Sequence, residues 1–149
     1  MKCEIVIYML IDPSTQDVRH VGQTRMPSAR VNLHVGAALR SARMGGPVSA
    51  LHEWILGMRA RGLKPVLEIV EVLSLDEFVP NGVYAEGSRQ DAARTVANEA
   101  EEAHICRFRH IGAPLLNAGW PIGVLLQKRR RFTVAAWLKQ QRQGERGVK

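Results

Sequence analysis

Residues 4 to 24 read EIVIYMLIDPSTQDVRHVGQT, which is two apolar segments joined by a short polar one. Isoleucine and valine dominate the first apolar segment, and β-branched side chains favour strands. The Asp-Pro-Ser triplet at 12–14 indicates a turn, because proline fixes φ and the two polar side chains bond nearby amides. We therefore predict an antiparallel hairpin with strands at 4–11 and 18–23. Gly22 indicates a bulge or a close approach to the backbone near the end of the second strand.

The rest of the chain up to residue 119 has the patterns of helices and one more strand. Ser28 and Ser49 are candidate N-caps, and Gly45 and Gly62 are candidate stops. We predict helices from Pro27-Ser28 to Gly45 and from 49 to 62, a strand at 66–73, an exposed loop at 79–88 and a helix at 89–111. The order β-β-α-α-β-α predicts a small α/β (α+β) layer. In that fold a three-stranded, mostly antiparallel sheet is flanked by helices.

The positive charge of the chain is concentrated at one end. The 149 residues have a formal net charge of +7, and residues 120–149 contain eight Lys or Arg and one acidic residue. Residues 1–119 contain 13 basic and 13 acidic residues, so they are neutral. We predict a folded body at 1–119 and a basic C-terminal extension at 120–149. Such a tail favours attraction to a polyanion, most often nucleic acid, although a merely solvated tail is the alternative.

No segment near the N-terminus has the pattern of a membrane span. The longest apolar run there, IVIYMLI, has seven residues, which is too short for a transmembrane helix or a signal-peptide core. We therefore expect an intracellular, cytoplasmic protein without a membrane partner. A tail that docks on a membrane through Phe132, Trp137 and Leu138 is a weaker alternative. Cys3 and Cys106 lack C-x-x-C spacing, so neither a disulfide framework nor a zinc site is indicated.

A few polar residues fall at positions that the helical pattern brings together. Arg30 and His34 are four residues apart and share one face of the first helix. Glu101 lies on an otherwise apolar stripe of the last helix, and a buried charge needs a partner or a metal. Each residue alone also has an ordinary explanation: a solvent-facing pair, a surface carboxylate and, for Tyr8, a core aromatic.

Taken together, these residues belong to five short sequence blocks whose order along the chain is similar to that of a known protein family. The blocks are Val6-Ile7-Tyr8, His20-Val21-Gly22 with Gln23-Thr24, Arg30 with His34, Glu101 with Ile105, and Leu115-Leu116-Asn117. In order and spacing they resemble the GIY-YIG nuclease family over about residues 4–119. The segment EEAHICRFRHIGAPLLN is the most specific part of this resemblance. Two positions depart from the family pattern, since Val6 replaces the first glycine and His20 replaces the second tyrosine.

The resemblance implies a metal-dependent endonuclease that hydrolyses DNA phosphodiester bonds with Mg²⁺ or Mn²⁺. Glu101 would hold the metal, Arg30 would clamp the phosphate, and Asn117 would hold Glu101 or backbone in place. The implied catalytic residues are Tyr8, His20, Arg30, His34, Glu101 and Asn117. We expect nucleic-acid contacts from Gln23, Thr24, Lys128, Arg129, Arg130 and Arg131, the last four through the phosphate backbone.

His20 changes the expected acid–base chemistry. An imidazole has an ordinary pKa near 6.5 and a phenol near 10, so a neutral histidine accepts a proton more readily at neutral pH. We expect His20 to share or take the role of base while Tyr8 positions the water. The alternatives are that His20 only packs or bonds phosphate, and that the chain is a catalytically impaired nucleic-acid-binding module. Double-stranded DNA, branched DNA and a partner protein for targeting all stay open.

Overall fold

The structure, a computed structural model, describes residues 4–74 and 86–117, without the side chains of 86–90. The elements are β1 (Glu4–Ile11), β2 (Val18–Thr24), α1 (Pro27–Met44), α2 (Ala50–Ala60), β3 (Val66–Ser74) and α3 (Glu86–His110). Three helices and a three-stranded antiparallel sheet confirm the predicted α+β class. The predicted basic extension at 120–149 lies outside the described residues.

The sheet has the strand order β2-β1-β3, with both pairings antiparallel. β1 is the central strand, and both of its faces are covered, which explains its nearly continuous apolar sequence. Tyr8 lies directly opposite Gly22 in the pairing of β1 with β2. A bulge at Gly22 was one of two alternatives, and the irregularity in this pairing instead falls at Leu10 and Ile11.

The hairpin turn is tied to the second helix by Asp12. The backbone and hydroxyl of Ser14 donate hydrogen bonds to Asp12 Oδ1, and Trp54 Nε1 donates to Asp12 Oδ2 at 3.0 Å. Hydrogen bonds from Ser14 and Trp54 lower the pKa of Asp12 to about 2. The predicted turn is therefore confirmed, and its buried carboxylate also anchors α2.

Alanines on α3 allow this helix to pack closely on one face of the sheet. The core cluster consists of Ile5, Ile7, Val21, Leu73, Ala93, Ala97 and Ala100. The small side chains on the helix let it approach the branched side chains of the strands closely. α3 has 25 residues but is polar overall, and no helix in the described ranges is long and apolar enough to cross a membrane. The packing fixes α3 beside β2, where Glu101 follows Ala100.

Two of the predicted element boundaries are wrong. α1 begins at Pro27 with Met26 at the N-cap and no side-chain cap, so Ser28 is not the cap. Proline suits the first helical position because its missing N–H would have no partner there. α3 begins at Glu86, so the predicted loop at 79–88 is wrong for its last three residues, and 79–85 lie outside the described residues. By contrast, Ser49 Oγ accepts from His52 N and caps α2 as predicted.

Candidate active site

Tyr8 is fully buried in the centre of the sheet, and its phenol lies over Gly22 of the neighbouring strand. A Cβ atom placed on Gly22 would lie 2.5 Å from the Tyr8 hydroxyl oxygen and 2.6 Å from Cζ. Real Cβ atoms do not approach other atoms this closely. Gly22 therefore permits the close approach that the sequence predicted, and the approaching group is the phenol.

Two side chains of α1 bond to the phenol oxygen of Tyr8. Arg30 Nε donates to Tyr8 Oη at 3.0 Å, and Tyr8 Oη lies 2.7 Å from His34 Nε2. An arginine N–H can only donate, so the phenol oxygen accepts from Arg30, and burial raises the pKa of Tyr8 so that the phenol keeps its own proton. That proton can be donated to His34 Nε2 in the tautomer with hydrogen on Nδ1. Arg30, Tyr8 and His34 thus form a chain of hydrogen bonds, and His34 is buried.

His20 completes a cluster of three rings around this point. It pairs with Leu10 across the hairpin, and its ring centroid lies 6.1 Å from that of Tyr8 and 5.4 Å from that of His34. The Nδ1 atom of His20 is buried and has no hydrogen-bond partner among the described residues. His20 therefore contacts the cluster through its ring edge and face, whereas His34 bonds directly to the phenol.

Burial and the nearby guanidinium set the charges of the cluster. Burial raises the pKa of Tyr8, and the hydrogen bond and positive charge of Arg30 act in the opposite direction. Burial, then the neighbouring His34 and Arg30, lowers the pKa of His20 to about 3. Burial and Arg30 lower the pKa of His34 to about 4. At pH 7 both imidazoles are neutral and the phenol is protonated, so Arg30 carries the charge.

Glu101 comes to this cluster from α3. Burial raises the pKa of Glu101, while a hydrogen bond from Gln23 and the charge of Arg30 oppose that rise. The negative charge of Glu101 also raises the pKa of Tyr8, so the carboxylate lies within electrostatic reach of the phenol. Gln23 Nε2 donates to Asn98 Oδ1 at 2.6 Å as well. The Gln23 amide therefore joins the end of β2 to α3 beside Glu101.

Asn117 holds the backbone of β2, which was one of the two roles considered for it. Val21 N donates to Asn117 Oδ1 at 2.9 Å, and Asn117 Nδ2 donates to Val21 O at 2.7 Å. Leu116 N also donates to Arg19 O at 2.6 Å. Asn117 thus positions the strand segment that carries the ring of His20 and the gap at Gly22.

The structure brings most of the predicted catalytic residues together, and the predicted nucleic-acid contacts Gln23 and Thr24 both line one cavity. Thr24 Oγ1 accepts from Met26 N at 3.1 Å, so Thr24 orders the entry into α1. Lys128, Arg129, Arg130 and Arg131 lie outside the described residues. Sequence reasoning missed Asn98, although its place one helical turn before Glu101 was a usable signal.

The donor chemistry of the cluster fits a magnesium or manganese ion held by one carboxylate. Among the described residues, no group of three or more His, Cys, Asp or Glu side chains is arranged to hold a metal. Mg²⁺ is usually bound through only one or two carboxylates, with water and substrate phosphates completing its shell. Glu101, a half-buried hard-oxygen donor, would be the residue that holds such an ion.

Comparisons with protein-family models, with curated proteins and with solved structures found no match for this chain. The interpretation of function therefore depends on the residue pattern and on the geometry around Tyr8.

Proposed function

We propose that this chain is a divalent-metal-dependent endonuclease that hydrolyses DNA phosphodiester bonds in a GIY-YIG-like active site. The observation that supports this most is the phenol of Tyr8, held between Arg30 and His34 over Gly22. Glu101 adds a carboxylate within electrostatic reach. A buried core tyrosine needs one hydrogen-bond partner, whereas this one has a cation and an imidazole on the same oxygen.

Arg30 is the residue that would hold the scissile phosphate. Its bond to Tyr8 uses only the Nε donor, and a guanidinium has four further N–H groups. The planar fork of these donors matches the oxygen atoms of a phosphate. Since Arg30 is the positively charged side chain beside the three rings, it would also offset negative charge that develops on the phosphate.

The hydrogen-bond chain suggests a route for the proton of the attacking water. The phenol oxygen of Tyr8 would accept this proton while the phenol passes its own proton to His34 Nε2. A bound phosphate anion stabilises an imidazolium, which offsets the burial that lowers the pKa of His34. His20 has a pKa of about 3 and no bond to Tyr8, so we assign the base to the Tyr8–His34 pair in place of His20.

A metal bound at Glu101 would polarise the phosphate and stabilise the leaving 3′ oxygen. Glu101 must be ionised to hold the ion, and burial raises its pKa, so metal binding should weaken as pH decreases through that pKa. The Gln23 amide would keep the carboxylate oriented during turnover.

The experiment that tests the proposal is cleavage of supercoiled plasmid with Mg²⁺ or Mn²⁺. We expect nicking by the wild type, abolished by a chelator, and a loss of about 10²-fold or more in Glu101→Gln. Asp91→Asn is the matched control, because Asp91 is an exposed carboxylate on the same helix. If the wild type gives no metal-dependent nicking, the alternative of a nucleic-acid-binding module without cleavage is favoured.

The assignment of the base has its own test. Tyr8→Phe and His34→Asn should each lower the cleavage rate by about 10²-fold, and the double variant should be little worse, because both act in one proton transfer. His20→Asn should lose less than about 10-fold, and exposed His110→Asn should lose nothing. A loss in His20→Asn as large as that in His34→Asn would return the base role to His20.

A further inference from the structure

A cavity of about 430 Å³ opens beside the candidate active site, at the end of β2. The described residues that line it are Ile5, Gln23, Thr24, Arg25 and Arg94. Two of these are arginines and none is acidic, so the described lining carries two cationic groups. Both arginines are exposed to solvent.

One side chain, Gln23, links the cavity to the site around Glu101. Gln23 lines the cavity and also bonds to Asn98 and Glu101. Arg94, Asn98 and Glu101 are spaced by four and three residues, so they share one face of α3. At 1.5 Å per residue, Arg94 lies about 10 Å along the helix from Glu101. A row of polar side chains therefore leads from the carboxylate to the arginine.

We propose that this cavity binds a backbone phosphate of the strand being cut, with Arg25 and Arg94 as its ligands. The inference rests on the proposed endonuclease function, and it defines where the substrate strand leaves the catalytic cluster. The separation of about 10 Å along α3 places this phosphate close to the scissile one on the same strand. Arginine forks suit phosphate oxygens, and such contacts fix the register of the strand without reading its sequence.

The test is the salt dependence of DNA binding by the full chain. Binding of a fluorescent duplex oligonucleotide is followed by fluorescence anisotropy. In Mg²⁺ the arginine substitutions are made in the Glu101→Gln protein, and in EDTA they are made in the wild type. We expect Arg25→Gln and Arg94→Gln each to raise Kd by roughly 5- to 10-fold and to lower the slope of log K against log salt by about one. The variant with both changes should lose little more slope, because the two arginines share one phosphate.

Arg59→Gln is the matched control, since Arg59 is exposed on α2 away from the cavity. Far-UV circular dichroism checks that each variant is folded. If Arg25→Gln and Arg94→Gln bind like Arg59→Gln, the phosphate site is wrong.

Plasmid nicking by the wild type separates the two proposals. If the wild type nicks plasmid but Arg25 and Arg94 have no role in binding, the endonuclease proposal stands and the phosphate-site proposal is wrong. If DNA binding depends on Arg25 and Arg94 but the wild type does not nick plasmid, the phosphate-site proposal stands and the endonuclease proposal is wrong.

Discussion

Tyr8 is a polar aromatic residue in the centre of a sheet, and each of its neighbours compensates for that burial. A buried hydroxyl without a partner costs about 1–3 kcal/mol, and here Arg30 and His34 supply two partners. Gly22 supplies the space for the ring. The identities of these four residues are therefore coupled, and a change in one should be felt at the others.

Gly22→Ala should destabilise the protein by about 1–3 kcal/mol, because the new methyl group would overlap the phenol of Tyr8. The proposed nuclease activity should fall with it, because Tyr8 would be displaced from His34. Gly36→Ala is the control: Gly36 lies inside α1, where the nearest atom to a new Cβ is 3.7 Å away. Gly36→Ala should stabilise the folded protein by roughly 0.5–1 kcal/mol. Urea denaturation gives both free energies of unfolding, and a harmless Gly22→Ala would contradict the observed approach.

His20 and His34 should make the fold sensitive to mild acid. Their folded pKa values of about 3 and about 4 lie below the ordinary value of 6.5. Their stabilising contribution is therefore complete above pH 6.5 and is lost as pH falls toward 4, because only the unfolded chain takes up the protons. Each group adds a slope of up to about 1.4 kcal/mol per pH unit.

His20→Phe should remove part of this slope, whereas exposed His110→Asn should not. Asp12, with a pKa of about 2, stays ionised throughout this range. The raised pKa of Glu101 acts in the opposite direction, but it does so equally in the parent and the variants. Urea denaturation between about pH 7 and about pH 4.5 measures the slopes, and equal slopes for wild type and His20→Phe would show that His20 titrates normally.

Helical spacing predicted that Arg30 and His34 share a face, and the structure puts both on one oxygen atom. The spacing could not predict which aromatic residue they would meet, because periodicity defines a direction within one helix only. The expected base, His20, followed from the ordinary pKa of imidazole. That value does not apply here, since burial depends on neighbours that are distant in sequence.

At the scale of elements, β2 is an edge strand whose second side is partly covered. β1 pairs with one side of β2, and Leu116 and Asn117 bond to backbone groups of β2 residues 19 and 21. This cover satisfies polar groups that an edge strand otherwise leaves unpaired. It also keeps in place the strand that carries His20 and Gly22.

Asn117→Ala should loosen β2 without unfolding α1 or α2. Val21 would lose both partners of its backbone, which costs about 1–3 kcal/mol locally. We expect faster amide hydrogen exchange at Val21 and little change in the α1 amides. Exposed Asn98→Ala is the control, because it removes an amide that contacts Gln23 but not Val21. Unchanged exchange at Val21 would mean that the backbone pair contributes little to the strand.

The ends of the elements differ in how well local chemistry determines them. Gly45 and Gly62 have positive φ values of 69° and 71°, so glycine there is a local signal and both helix stops were predicted. Pro27 begins α1 in place of a serine cap, and α3 extends further toward the N-terminus than its apolar pattern indicated. The pairing of Asn117 with Val21 spans 96 positions and has no local signature.

At the scale of the whole molecule, the charge is divided between a neutral body and a basic end. If Lys128 to Arg131 contact phosphates, deletion of residues 127–149 should flatten the salt dependence of DNA binding, by roughly 0.9 in slope for each lost phosphate. The proposed cleavage at low salt should change less, because the candidate active site lies within residues 8–117. The same anisotropy titration measures this, and an unchanged slope would show that the tail binds something else.

The bond between Asn117 and Val21 also has a consequence for the time at which the candidate active site is completed during synthesis. A chain emerging from the ribosome could form the hairpin, α1 and α2 while its later part is still being made. Its second strand would stay uncovered until residue 117 had been released, several seconds later at about 5–20 residues per second. If the proposed function holds, the nascent chain would remain inactive until nearly all of residues 4–117 had left the ribosome.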